Sequence, residues 1–232
     1  MCDIKASYQA KASVTWAKRD LDDFNLTESN ALFISDAASR PIPRALEVFG
    51  VLSGLPFSDL AQAQINDLQK ALTAFIPHDR YYWVHPENLG IEYLVLKWPD
   101  EEWSQAKLEA ALRELSALEF SQFDMEFHGF QLNADGCLIV RGYDHSGDFA
   151  RIRRLLTDRL SFVSARQSNW YHIPIGRILK PLGEGNFSAL RHYVEATSME
   201  VRFIERIRAI KLVHETRWYM EEHSILAQKT AS

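Results

Sequence analysis

Cysteine is almost missing from this chain: of 232 residues only Cys2 and Cys137 are cysteines. So few thiols exclude a disulfide framework and a cysteine-built metal cluster. No apolar run approaches the roughly 20 residues that span a bilayer. The opening stretch MCDIKASYQAKAS lacks the basic-then-apolar plan of a secretory signal. The expectation is a cytoplasmic protein with no membrane association. Compact catalytic signatures are missing too. There is no Gly-rich phosphate loop ending in Gly-Lys-Ser/Thr, no His-Glu-x-x-His, no Gly-x-Ser-x-Gly and no dinucleotide fingerprint. The eight histidines show no paired metal-ligand spacing, so neither a metal nor another cofactor is expected.

What is present describes a folded protein. Apolar residues make up 47% of the chain and charged residues 25%, which supplies a core and excludes global disorder. A formal charge of −5 argues against a protein that coats nucleic acid. The charge is uneven, however. Residues 1–116 carry 11 basic and 17 acidic side chains, whereas residues 117–232 carry 15 and 14. Arg151, Arg153, Arg154, Arg159, Arg166 and Arg177 crowd one stretch of the second half. They read either as a solvated helix face or as a phosphate-binding wall, since a guanidinium offers a planar fork of donors.

Residues 1–42 are polar and weakly periodic and end at Pro41 and Pro43, so they read as an N-terminal extension ahead of a single domain over 43–232. From there the pattern sharpens. ALEVFGVLS (45–53) is strand-like and closed by Gly54 and Pro56. Leu60, Ile65, Leu68, Leu72 and Phe75 fall on one helix face, with Ser58 or Asp59 as its cap. RYYWVH (80–85) and IEYLVLKW (91–98) are strands separated by Pro86-Glu87-Asn88. A second helix carries Trp103, Leu108, Leu112, Leu115 and Leu118. Strands 123–133 and 137–143 meet in the turn Asn133-Ala134-Asp135-Gly136. A third helix bears Phe149, Ile152, Leu155, Leu156 and Leu160, and NWYHIPIGRIL (169–179) is a strand. A fourth helix holds Phe187, Leu190, Val194 and Met199. The end reads as the strand-like VRFIERIRAIKLVHETR and a short return, YMEEHSIL. Helices alternating with tightly turned strands predict an α+β fold with antiparallel-rich sheets and outer helices. Helix 57–76 leading to strand 91–98 parallels helix 147–163 leading to strand 169–179, which predicts a duplication of two lobes around a central cleft.

The chemistry concentrates in YHIPIGRIL. His172 lies in an apolar strand, with Pro174 and Gly176 on its face by period-two alternation. Pro174 cannot donate to a ladder, so an edge, a bulge or a cleft is expected beside it.

The segment EVFGVLSG, a helix and RYYWVHPENLGIEYLVLKWP resembles the first half of the 2H phosphoesterase superfamily, which includes 2′-5′ RNA ligase-like proteins and cyclic nucleotide phosphodiesterases. FHGFQLNADGCLIVRGYD, a helix and YHIPIGRIL resemble the second half, and the order of elements matches from about 45 to 218. The resemblance implies two His-x-Thr motifs facing each other, one imidazole as base, the other as acid, with the hydroxyls on the phosphate. Here Gly90 and Glu92 occupy the first motif's His and Thr positions. His172 keeps the second histidine, while Pro174 replaces its Thr. Glu92 opposite His172 could serve as base to an imidazole acid, or could pair with an arginine. His85, as a substitute imidazole, sits on the wrong strand parity. Arg177 could bind phosphate or pair with a carboxylate. Catalytic candidates are therefore His172 and Glu92, with Arg177, Pro174 and Gly90 as ligand-binding positions. The resemblance implies a degenerate site that binds a nucleotide or RNA phosphodiester with little or no hydrolysis. The alternatives are an active cyclic phosphodiesterase or 2′-5′ RNA ligase-like enzyme, and a partner-binding scaffold.

Overall fold

A computed structural model describes residues 4–34 and 40–232; Cys2 and residues 1–3 and 35–39 of the expected extension lie outside the described residues. The chain opens with α1 (Ile4–Trp16), α2 (Asp23–Asn30), β1 (Phe33–Ile34) and β2 (Ile42–Pro43). Next come β3 (Ala45–Gly54), α3 (Asp59–Thr73), β4 (Tyr81–Trp83), β5 (Gly90–Lys97) and α4 (Gln105–Ser116). The second half follows as β6 (Phe123–Leu132), β7 (Cys137–Tyr143), α5 (Asp148–Arg159), β8 (His172–Ile178) and α6 (Glu184–Thr197). It ends with β9 (Arg202–Ile207), β10 (Ala209–Arg217) and β11 (Glu222–Thr230). This is the expected α+β fold of antiparallel sheets. Beside the β1–β2 pair stand a four-stranded sheet, β11-β10-β3-β5, and a five-stranded sheet, β4-β8-β7-β6-β9.

The helices follow their caps and stripes. Ser58 and Ser104 accept from backbone N–H groups of the first turns of α3 and α4, satisfying donors that a helix start leaves open. Ile65, Leu68 and Leu72 of α3 and Phe149, Ile152 and Leu156 of α5 are buried at helical spacing. α4 packs on β10 and β11, α5 on β5, and α3 on β8 and β9. Met199, expected on the fourth helix, lies past the end of α6 and is exposed.

The two sheets exchange strands. Pro86-Glu87-Asn88 forms a single 3-10 turn that carries the chain out of β4, in the five-stranded sheet, and into β5, in the four-stranded one. The C-terminal run divides at Arg208. β9 joins the five-stranded sheet and β10 the other, and β11 extends the return to a full nine-residue strand.

Residues 4–34 pack onto this frame. Tyr8, fully buried, donates its hydroxyl to the carbonyls of Tyr171 (2.6 Å) and Gly142 (3.3 Å), and its ring meets Trp170 edge-on. Leu21, Leu26 and Phe33 enter the main core. The polar character of this segment conceals these few apolar contacts.

One position ties the β6–β7 turn to its neighbours. Gly136 has φ +82°, and a Cβ there would lie 2.1 Å from the Ile178 carbonyl oxygen. A side chain would be strained in conformation and space alike. Gly136→Ala should lower unfolding free energy by about 2–4 kcal/mol in urea titration. Gly185, near the start of α6, faces open space, so Gly185→Ala should be neutral or stabilising by up to about 1 kcal/mol.

Candidate functional site

The sites predicted from sequence converge on one cleft of about 740 Å3 between the two sheets. Gly90 and Glu92 reach it from β5, and His172, Pro174 and Arg177 from β8. His85 is not among its lining residues; it stands exposed beside Glu221, 3.5 Å away.

Two bulges aim these side chains. In β5, Glu92 pairs with Leu52 and Leu94 with Val51, leaving Tyr93 as an extra residue. In β8, Pro174 pairs with Ile139 and Gly176 with Leu138, leaving Ile175 as the extra one. An added residue shifts the strand's alternation by one. The faces therefore read Gly90, Glu92, Val95 on β5 and His172, Pro174, Arg177 on β8. The expected alternation placed Gly176 with His172, and the bulge corrects it: the Gly176 Cα faces the Trp83 ring instead. The bulge beside Pro174 is one of the settings in which a proline fits a sheet. In both strands the bulge falls one residue after the third position of the motif, at Tyr93 and at Ile175. The two triplets are thus structural counterparts, Gly90 to His172 and Glu92 to Pro174.

Arg153 of α5 joins the strands from below. Its Nε donates to the Tyr93 carbonyl (2.9 Å), and its Nη2 donates to those of Glu92 (2.9 Å) and Trp170 (3.0 Å). Phe149 and Tyr171 hold their rings against the guanidinium. The arginine cluster therefore forms no wall. Arg151 pairs with Asp148 and Arg159 with Glu114, Arg154 is exposed on α5, Arg153 is a staple, and Arg166 stands exposed at the rim over Trp98 (5.6 Å).

Arg177 is already engaged. Its Nε donates to the Tyr219 hydroxyl (3.0 Å) and its Nη1 to the Ser29 hydroxyl (2.5 Å), with Asp135 at 3.5 Å. Of the alternatives open in the sequence, pairing with a carboxylate is the one the geometry contains. Glu92 makes no hydrogen bond through its carboxylate among the described residues. Burial pushes its pKa up to about 7, partly offset by Arg153. His172 is half-buried, with its Nδ1 sealed from solvent and without a hydrogen-bond partner. Burial, reinforced by Arg153, pushes it down to about 4, so the ring is neutral at neutral pH.

Sequence reasoning missed Glu215 of β10. It is buried and accepts from the Met220 N–H (2.9 Å), which steadies a turn where Tyr219 and Met220 both have positive φ. Burial raises it to about 8, helped by Glu92 nearby. Its signal, a lone glutamate on the cleft-facing parity of a strand, is indistinguishable in sequence from an exposed one.

No family model matches the chain, and no curated protein matches its sequence. Solved structures do match in fold. TT0787 of Thermus thermophilus superposes at TM-score 0.56 over 79% of this chain and 97% of its own, with 13% identity. The chain has the 2H phosphoesterase fold. LigT of E. coli, in its apo form, matches at TM-score 0.55 and 11% identity over 82% of this chain and 99% of its own. LigT complexed with 3′-AMP matches at 0.54, with 12% identity over 82% and 99%. No helix among the described residues is long and apolar enough to cross a membrane.

The half-buried carboxylate predicts a pH signature. The folded pKa of Glu92 lies above the usual 4.5, so the folded state holds its proton more tightly than the unfolded one. That contribution is complete below about pH 4.5 and is lost as pH rises towards 7. Glu92→Gln keeps the neutral shape and cannot ionise. Its stability relative to the parent should rise by about 1–3 kcal/mol between pH 4.5 and 7.5, then level off, in denaturant titrations across pH.

Proposed function

We propose that this chain is a binding module on the 2H phosphoesterase fold, taking a nucleotide or RNA phosphodiester end in its cleft with little or no hydrolysis. One observation carries the reading: Gly90 is the structural counterpart of His172, so the cleft holds a single imidazole among its described lining residues. In-line phosphodiester chemistry needs one group to take a proton from the attacking oxygen and another to give one to the leaving oxygen. Each is worth roughly 10²–10⁴-fold in rate. Glycine does neither, and with Glu92 and Pro174 in the threonine positions no hydroxyl stands there. The cleft volume suits a mononucleotide, within the common range of small-molecule sites. LigT, on the same fold, is known in complexes with phosphate, 3′-AMP, ATP and NADP+.

A residual enzyme is the second reading, and the pKa of Glu92 favours it, since about 7 suits proton transfer at neutral pH. In that case the neutral imidazole of His172 fits the base and protonated Glu92 the acid. Those roles are the reverse of the ones expected from sequence.

The two readings separate in one experiment. Purified protein is offered 2′,3′-cyclic nucleotides and 2′-5′-linked dinucleotides, and both turnover and calorimetric binding are measured, each repeated with His172→Ala. Binding weakened several-fold by the substitution, without turnover, is expected. Robust turnover lost in both His172→Ala and Glu92→Gln would establish the enzyme instead. Neither binding nor turnover would leave the scaffold role.

A further inference from the structure

We propose that the cleft receives its ligand with the uncharged, hydrogen-bonding part against Glu92 and His172 and the anionic part outward at Arg166. This rests on the binding-module reading and adds an orientation to it. The charged groups of the cleft carry the argument. Among its described lining residues are five carboxylates, of Glu28, Glu92, Asp100, Asp135 and Glu215, against the two guanidiniums of Arg166 and Arg177.

Arg177 is the less available of the two guanidiniums. Two of its donor nitrogens are spent on Tyr219 and Ser29, and Asp135 balances its charge. Displacing those contacts would orphan polar groups at the end of the cleft. Arg166 differs: its guanidinium is exposed, lies over Trp98, and makes no ion pair among the described residues. A phosphate there meets a free fork of donors without leaving water entirely.

The floor has the opposite character. His172 is neutral at neutral pH and offers no countercharge, and Glu92 and Glu215 repel an anion once ionised. What the floor does offer is unmet hydrogen bonding. The Glu92 carboxylate faces the cleft with no hydrogen-bond partner among the described residues, whereas the His172 Nδ1 is sealed and leaves only the other side of the ring to a ligand. A half-buried carboxylate is partly stripped of water, and a ligand donor that pairs it replaces the hydrogen bonds it has lost. The matching chemistry is an uncharged group with adjacent donor and acceptor: the vicinal hydroxyls of a ribose or the amine-bearing edge of a base.

The test uses calorimetry on the full chain with the four ribonucleosides, their 3′-monophosphates, the 2′-deoxynucleosides and inorganic phosphate. Glu92→Ala should weaken nucleoside and nucleotide alike by about ten-fold, the scale of one charge-assisted hydrogen bond. Arg166→Ala should leave nucleosides unchanged, abolish the advantage of each nucleotide over its nucleoside, and flatten the salt dependence of nucleotide binding. Loss of binding by 2′-deoxynucleosides would assign the floor to ribose hydroxyls, and retention to the base edge; each fits the proposed orientation. If Glu92→Ala tightens nucleotides by removing a like charge, or if Arg166→Ala changes nothing, the orientation is overturned while the binding module stands. If no probe binds the parent protein, the module reading fails and the orientation fails with it.

Discussion

One guanidinium holds the two sheets together where the cleft lies. Arg153 reaches from α5 to the carbonyls of Glu92 and Tyr93 on one strand and of Trp170 just before the other. Three carbonyls at a sheet junction would otherwise be short of donors, and one planar fork satisfies them together. The rings of Phe149 and Tyr171 fix its plane. Tyr171 is also where the Tyr8 hydroxyl of α1 attaches, so the N-terminal segment braces the same junction. The staple has an electrostatic consequence. Its charge lies behind both candidate residues, lowering the pKa of His172 and opposing the rise in Glu92. A contact made for architecture thereby adjusts protonation states that burial chiefly sets.

The same economy explains why the arginine cluster misleads. Six arginines in one stretch invite a reading as a phosphate wall. Their environments divide them into solvated pairs, the exposed Arg154, a staple, a rim group and the locked Arg177. A guanidinium recognises backbone carbonyls, aromatic faces and carboxylates as readily as phosphate. Composition cannot tell which. Here the distinction lies in partners far away in sequence: Tyr219 and Ser29 for Arg177, and Glu92 and Trp170 for Arg153.

Much of the fold was legible because its signals are local. Helical stripes such as Ile65, Leu68 and Leu72, the Ser58 cap and the Asn133–Gly136 turn each declare themselves within a few residues. The partition of strands between sheets was not legible. The 3-10 turn at Pro86–Asn88 and the break at Arg208 resemble ordinary turns until pairing is known. Within the site, the strand positions of Glu92 and His172 followed from motif order, and the structure sets both in one cleft. Face assignment past Pro174 did not follow, because a bulge is invisible to a rule of alternation. Glu215 escaped for a related reason: its burial is set by strand pairing at long range. The N-terminal segment escaped because a few apolar side chains anchor it, too few to register as a period.

These bulges also bear on how such a fold tolerates changed chemistry. Ile91, Ile173 and Ile175 point into the common core and are fully buried, while Gly90, Glu92, His172 and Pro174 face the cleft. Alternation separates the residues that hold the sheets from the residues that meet a ligand, one position apart on the same strands. A cleft-facing side chain can change while the core contacts one position away persist. The cost falls on solvation of the cleft instead, and it is visible as a carboxylate and an imidazole both driven towards their neutral forms. A shared fold at 11–13% identity is what this separation allows. What a ligand meets is the cleft face alone, and among its described lining residues stand one imidazole, five carboxylates and two guanidiniums.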